Sequence, residues 1–435
     1  MRIAFVNQPW EVSSPPYPRG SLGLWTYHVA RRLAREADCD VTVYEKPREA
    51  TTPPEERAEG VTYRRVSMTR GDRWAQRLLP RLAKWKAPQR GYFLSRLYYG
   101  GYASRVARDL AARGCDIVHI HNFSQFVPAI RAHNPGAKIV MHMNCDWLAQ
   151  LDERVIDRRL AQADLILGCT NHVTHAVRRR FPHYAAKCHT VFNGEDVDWF
   201  VPREPGSNGD GKHADGAGEK PKSVLYCGRV SPEKGVHDLL EAFGRVVKQY
   251  PEARLEVLGG VGAAPREFMV DVSADPKVRD LSRFYDNGGD DYGAVLKQRM
   301  SPEVAARTTF IDFLPQQQVA ERVRTADVLV SPSLTESFGM PVAEAMASGL
   351  PAVATRAGGL PELVDDGVTG LLVDAANPDA LAGAITRLLA DADLRKSMGL
   401  RGRERAVRLF SWDPVAASAL KHYRAVWDGT EAKRA

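Results

Sequence analysis

The chain has 435 residues, 44% of them hydrophobic, and a formal net charge of +7. That is too long for one ordinary core and apolar enough for two domains of about 150–200 residues. No run of 18 apolar residues occurs and the opening "MRIAFVNQPW" has no signal-peptide pattern, so the expectation is a protein without a membrane span or secretory leader that stays in the cytoplasm.

Taken in chain order, short β-branched runs alternate with helical patterns. The first half carries "RIAFV", "DVTVYE", "DIVHIH", "KIVMHM" and "DLILGC"; the second carries "SVLYCG", "RLEVLGG", "TTFIDF", "DVLVSPS" and "PAVAT". Strands separated by helix-length segments imply parallel sheets built from βαβ units. Residues 202–222 are rich in Gly, Pro and charge and lack a hydrophobic period, as expected of a flexible linker. The expectation is two doubly wound α/β domains facing across a cleft, residues 1–201 and 223–411, with ligands outside the carboxyl ends of the strands. About 261–306 reads as an insertion without clear structure, since it far exceeds the usual α/β connection. Ser411 is read as the N-cap of a last helix, about 412–430, that packs back on the first domain.

Charge is unevenly spread. Between Arg64 and Arg113 lie thirteen Lys or Arg against Asp72 and Asp109 alone, and over 73–102 they interleave with Trp74, Trp85, Tyr92, Phe93, Tyr98, Tyr99 and Tyr102. This mixture suits a peripheral membrane contact or an anionic acceptor. A solvated basic face with the aromatics in the core is the plainer reading. Nucleic acid is not expected, because no recognisable module accompanies the charge. The six cysteines are scattered without a C-x-x-C pair and are expected to be reduced.

Several motifs fail on context. "GSNGDGK", Gly206 to Lys212, fits part of a phosphate loop, but His213 stands where Ser or Thr must hold magnesium, and no strand or helix flanks it. "GGVGAAP" has Pro265 in place of the third glycine of a dinucleotide loop. The pairs Asp290-Asp291 and Asp365-Asp366 have no histidine beside them, so no metal site is expected.

Two stretches survive. In "YCGRVSPEKGVHDLLEAF" a strand ends at Gly228, Arg229 and Lys234 project from the loop, Gly235 permits a tight backbone and a helix follows. Two cations beside exposed amides suit a diphosphate. In "TESFGMPVAEAMASG" Pro341 fits the first helical position and Gly349 the end. Amides from Gly339 to Val342 then offer partial positive charge. Glu336 and Glu344 flank this turn as acceptors for sugar or ribose hydroxyls. Taken alone, the two glutamates would simply complement a helix dipole.

Together, "GRVSPEKG", "PSLTESFGMPVAEAMASGLPAVATRAGGLPELVDDGVTGLLV" and "VFNGEDVDWFVP" resemble glycosyltransferase family 4, retaining enzymes of GT-B fold with a Glu-x7-Glu motif. The resemblance implies two Rossmann-like domains and a nucleoside diphosphate sugar as co-substrate, with no metal or other cofactor. Arg229 and Lys234 would bind the diphosphate. Glu336 would hold sugar hydroxyls and act at the reacting centre, and Glu344 would hold the ribose. Phe338, Gly339, Met340, Pro341 and Val342 would line the donor, and Leu314 would lie near the base. Gly20 and Gly23 match the loop over donor and acceptor, although the family usually has adjacent glycines there. Asp312 stands where the family often has glycine.

His121 matches the family histidine near the anomeric carbon. It lies nearer the carboxyl end of its strand than His119, so His121 is expected to face the cleft and His119 the core. The acceptor would be a hydroxyl on a lipid-linked molecule, a glycan or a small molecule, reached in the cytoplasm or at the inner membrane face. The rivals are a nucleotide-sugar epimerase or hydrolase of the same fold and a non-catalytic nucleotide-sugar-binding protein.

Overall fold

In the computed structural model the described residues are 1–16, 18, 20–49, 51–83, 88–203, 221–285 and 292–429. Most of the expected linker, the Gly206–Lys212 motif, Trp85 and Asp290-Asp291 lie outside them. The chain divides into two compact units, one made of Met1–Asn193 with the C-terminal segment from Trp412, the other of Gly194–Ser411.

The first unit is built on strands β1 (Arg2–Val6), β2 (Asp40–Glu45), β3 (Glu55–Ala58), β4 (Val61–Arg65), β5 (Ile117–His121), β6 (Lys138–Met143), β7 (Leu165–Gly168) and β8 (Cys188–Thr190). They form one sheet in the order β3-β4-β2-β1-β5-β6-β7-β8, parallel except for the β3–β4 pair. β5 is buried at all five positions, as a parallel strand covered on both faces must be.

The helix Ser21–Leu33 places Trp25, Val29 and Leu33 in the core of this unit. The helix Trp412–Trp427 adds Trp412, Val415, Ala419, Tyr423 and Val426 to the same cluster. His28 stacks on Trp412 with ring centroids 4.6 Å apart, and Arg32 pairs with Asp413 at 2.5 Å. Burial of two large aromatic rings, roughly 150–250 Å² each, holds the last helix in place. Ser411 does not cap that helix: its hydroxyl donates back to the Val407 carbonyl at 2.7 Å.

The second unit has β9 (Ser223–Cys227), β10 (Arg254–Leu258), β11 (Thr308–Ile311), β12 (Val328–Ser331), β13 (Ala352–Thr355) and β14 (Gly370–Val373). All are parallel, in the order β11-β10-β9-β12-β13-β14. The first unit therefore ends at Asn193 rather than at residue 201. The reason is local: Arg403 donates to the carbonyls of Val197, Phe200 and Ala347 at 2.6–2.7 Å, which ties 197–200 into the second unit.

The described residues of 261–306 carry more structure than expected. They hold short helices at Arg266–Met269, Pro276–Asp280, Tyr292–Arg299 and Pro302–Arg307. Val270, Leu281, Tyr292, Leu296 and Val304 enter the core of the second unit. The Tyr292 hydroxyl lies 2.8 Å from His237 Nδ1 on the helix Val236–Gln249. No helix among the described residues is long and apolar enough to cross a membrane.

Half of the aromatic expectation for 73–102 is corrected. Phe93, Tyr98, Tyr99 and Tyr102 are buried, and Tyr98 and Tyr99 pack with Phe123. Trp74 (68% exposed) and Leu82 (61%) do face solvent, on the helix Arg70–Ala83. Arg70, Arg73, Arg77 and Arg81 are exposed on the same helix.

Candidate active site

Because every strand of the second sheet is parallel, their carboxyl ends share one edge. Across that edge lie Leu314 beyond β11, Gly259 beyond β10, Gly228 and Arg229 beyond β9, Glu336 beyond β12 and Gly358 beyond β13. The backbones crowd where two strands end. A Cβ on Gly259, whose φ is +137°, would stand 2.0 Å from the Gly228 carbonyl oxygen. A Cβ on Gly358 would meet the Glu336 carbonyl oxygen at 1.8 Å, and the Gly359 amide donates to that same oxygen at 2.8 Å.

Each cation is held by a carboxylate. Arg229 donates through Nη2 to Glu233 Oε1 at 2.6 Å, and the Ser231 hydroxyl donates to the same oxygen at 2.7 Å. Tyr226 donates its hydroxyl to the Arg229 carbonyl at 2.6 Å. Glu233 is fully buried while the Arg229 side chain is 47% exposed, so the buried acid orients a cation that reaches solvent. Lys234 Nζ lies 2.6 Å from Glu336 Oε2. Gly235 follows at φ +69°, where a Cβ would strike the Pro332 carbonyl oxygen at 2.1 Å. Glu233 was not singled out in sequence, although its place four residues after Arg229 is a standard pairing distance on a helical turn.

The helix Met340–Ala347 begins at Gly339, with φ +104° and Pro341 in its first turn. The Val342 and Ala343 amides donate to the Gly339 carbonyl at 2.9 and 3.1 Å. Val342 therefore does not offer its amide to a ligand, and the donors left at this terminus are Gly339 and Met340. The Phe338 ring is buried edge-on against Phe410, with centroids 5.6 Å apart. Its contribution, and that of the fully buried Val342, is to hold the turn in shape.

Glu344 sits on this helix with its Oε2 buried and without a hydrogen-bond partner. Burial pushes its carboxyl up to about 7. Glu195, missed in sequence, is its buried neighbour: burial and then the Glu344 charge hold Glu195 well above the usual carboxylate range. Cys227, at the end of β9, is raised by burial and then by these two carboxylates. Glu195 is placed by its amide, which donates to the Phe410 carbonyl at 2.6 Å. Leu314 is half-buried beside exposed Phe313, and Asp312 Oδ1 accepts the Phe313 amide at 2.8 Å.

Arg229, Lys234, Leu314, Glu336, Glu344 and the Phe338–Val342 turn are thus gathered in the second unit. Gly20, Gly23 and His121 belong to the first. Gly20 has φ +76° and opens the helix Ser21–Leu33; a Cβ on Gly23 would meet the Val12 carbonyl oxygen at 2.3 Å. The Gly23 amide donates to Glu11 Oε2 at 3.2 Å, and burial pushes the Glu11 carboxyl up to about 7. Glu11 also escaped the sequence reading.

The expectation for His121 is corrected. It is as fully buried as His119, because Thr26 and Trp25 of the helix Ser21–Leu33 cover it. Its Nε2 lies 3.2 Å from the Thr26 hydroxyl.

Two family models match the chain: one described as Glycosyl transferases group 1 over residues 212–405, the other as Glycosyltransferase Family 4 over residues 22–199. The spore coat protein SA of Bacillus subtilis is 26% identical over 332 residues, 74% of this chain and 81% of that protein. A D-inositol 3-phosphate glycosyltransferase of Kribbella flavida is 27% identical over 429 residues, 93% of this chain and 90% of that one.

Among solved structures, sucrose-phosphate synthase from Thermosynechococcus elongatus superposes with a TM-score of 0.67 at 22% identity, covering 98% of this chain and 99% of that one. Anabaena Alr3699/HepE in complex with UDP-glucose gives 0.65 at 17% identity, covering 97% and 99%. At such identities these structures speak for a shared fold.

Proposed function

The chain is a glycosyltransferase of GT-B type, and from that premise we propose that it is a retaining family 4 enzyme that moves a sugar from a nucleoside diphosphate donor to a hydroxyl acceptor. The observation that carries this reading is the convergence of Arg229, Lys234 and Glu336 on one sheet edge, with Lys234 and Glu336 2.6 Å apart. The diphosphate sits against Arg229, Lys234 and the Gly339 and Met340 amides. Glu344, with Glu195 behind it, accepts hydrogen bonds from the ribose hydroxyls. Leu314 packs near the base, and Glu336 holds hydroxyls of the sugar. The UDP and UDP-glucose named with the HepE structures make uridine donors the first to test.

As the sugar leaves, negative charge grows on the diphosphate, and preorganised cations and amides aimed at it supply the main catalytic effect. No divalent metal is needed for this step. Retention follows from attack on the face the diphosphate vacates: the acceptor oxygen bonds to the anomeric carbon, the carbon–oxygen bond to the phosphate breaks, and a donor phosphate oxygen takes the acceptor proton. Glu336, engaged with Lys234 and sugar hydroxyls, is not the nucleophile of a double displacement. The family resemblance would give Gly20 and Gly23 the shaping of a loop on the acceptor side, within the first unit.

For the acceptor we favour an anionic, lipid-linked hydroxyl compound reached at the inner membrane face. The exposed strip Arg70, Arg73, Trp74, Arg77, Arg81 and Leu82 combines cations with apolar bulk. Beside it a cavity of about 430 Å³ is lined by Leu79, Leu82, Arg90, Tyr92, Arg154 and Arg158, among others.

A donor panel of UDP, GDP and ADP sugars tests the function, read as binding and as nucleotide release with and without acceptor alcohols. Acceptor-dependent release with a retained anomeric configuration supports it. Release without any acceptor would favour a hydrolase or epimerase, and binding without turnover a non-catalytic role. Flotation with anionic vesicles tests the surface strip: reversing Arg73, Arg77 and Arg81 should abolish flotation, and unchanged flotation would dismiss the membrane contact.

A further inference from the structure

β1, β5 and β6 lie side by side and parallel in the first sheet, so the chain leaves all three at one edge. Trp10 and Glu11 follow β1, Asn122 and Phe123 follow β5, and Asn144 follows β6. Contacts join the three loops. The Trp10 ring meets Phe123 edge-on, with centroids 5.3 Å apart, and the Asn144 amide donates to Asn122 Oδ1 at 2.7 Å.

Trp10 is 47% exposed, yet it rests on buried aromatic rings, Phe123 and, at 5.6 Å, Tyr99. Tyr99 holds a left-handed backbone with φ +59°, a costly conformation for a bulky residue and one found at ligand clamps. The exposed indole is therefore a fixed platform.

Polar groups on the same loops are open to a further partner. The Glu11 carboxyl is anchored through Oε2, which accepts the Gly23 amide at 3.2 Å. Asn144 uses neither end of its side chain: Nδ2 and Oδ1 are both buried without a partner. Asp146 Oδ1, two residues on, is in the same state, and so is Gln125 Nε2 past β5. Polar atoms left unpaired on folding ask for an explanation.

The combination has a chemical meaning. An indole face suits the C–H face of a saturated ring, and an amide with a free donor and a free acceptor suits hydroxyls on its rim. A hydrocarbon chain or a planar aromatic ring would meet the platform and leave Asn144 unpaired. A phosphate here would face the carboxyl groups of Glu11 and Asp146, so the charged part of an anionic acceptor is left to the basic strip on Arg70–Ala83. We propose that this edge of the first unit binds the acceptor through an uncharged polyhydroxylated ring, a sugar or a cyclitol, with Trp10 against its apolar face and Glu11 and Asn144 on its hydroxyls. That the bound ring is the acceptor rests on the glycosyltransferase reading above; the ring site stands on Trp10, Glu11 and Asn144.

Saturation-transfer NMR on the full chain tests this with myo-inositol and the methyl glycosides of glucose, galactose and mannose, set against hexanol and cresol. The proposal predicts transfer to at least one polyol ring, strongest at the protons of one C–H face, and little to either control alcohol. Trp10→Ala should lower that signal about fivefold, the loss expected for one aromatic contact, and Trp10→Phe should restore part of it. Asn144→Ala should weaken the signal and keep its face pattern. Circular dichroism checks folding, and should Asn144→Ala fail to fold, the exposed Trp10 pair decides. A wild-type chain that gives no transfer to any polyol, or equal transfer after Trp10→Ala, overturns the proposal. Calorimetry with UDP, GDP and ADP on the same preparation separates the two claims. Nucleotide binding without ring binding sinks this proposal and leaves the donor reading standing; ring binding without nucleotide binding does the reverse.

Discussion

Lys234 and Glu336, 102 positions apart in the chain, meet at 2.6 Å at the carboxyl edge of the second sheet. The contact sets the lysine charge beside the carboxylate assigned to the sugar, so one residue for the leaving group and one for the transferred group are fixed against each other. Lys234→Ala should lower kcat/KM about 10²–10³-fold, as loss of a donor aimed at developing charge does. Glu336→Gln keeps the shape and removes the charge. It should lower kcat more than it raises the donor KM, a split that steady-state kinetics reads directly.

The carboxyl of Glu344 gives a pH signature. Its value in the folded chain, about 7, lies above its ordinary 4.5. The folded state therefore holds this proton more tightly, and the stabilisation is complete below about pH 4.5 and is lost as pH rises to about 7. Glu344→Gln should flatten this slope and raise stability at pH 8 by on the order of 1–3 kcal/mol, while donor binding weakens. Denaturant unfolding at pH 5 and pH 8, with donor titrations on the same variant, checks both.

Gly358 is a steric prediction. With φ +54° and a would-be Cβ 1.8 Å from the Glu336 carbonyl oxygen, Gly358→Ala must displace the turn that carries Glu336. Loss of turnover should exceed any loss of stability, so activity and melting temperature measured together will separate the two.

The last helix makes a stability prediction. Tyr423 is fully buried and meets His119, so Tyr423→Ala should cost about 3–5 kcal/mol, the range for large aromatic truncations in a core. The measurement is the unfolding midpoint in urea.

The parallel sheets were legible because β-branched runs between helix-length segments leave few alternatives. The glycines and proline around Glu336 marked a turn into a helix because each supplies a backbone conformation other residues resist. What escaped depends on packing between distant segments. Glu11 and Glu195 are raised by burial, and burial comes from chain segments whose approach no local pattern announces.

His121 was read as facing ligand from its place on β5, but Trp25 and Thr26 of another element cover it. Val342 was counted as an amide donor, yet the Gly339 carbonyl folds back and takes that proton. Helices of four to eight residues within 261–306 are too short for a hydrophobic period to stand out.

The central claim is that the second unit grips a diphosphate through Arg229 and Lys234. Calorimetric titration of UDP and of uridine into the wild type and into the Arg229→Ala, Lys234→Ala double variant tests it most directly. The account predicts that UDP binds the wild type at least about 100-fold more tightly than uridine does, a difference of roughly 2.7 kcal/mol, and that the double variant loses most of this gap. A gap of the same size in the double variant would contradict it.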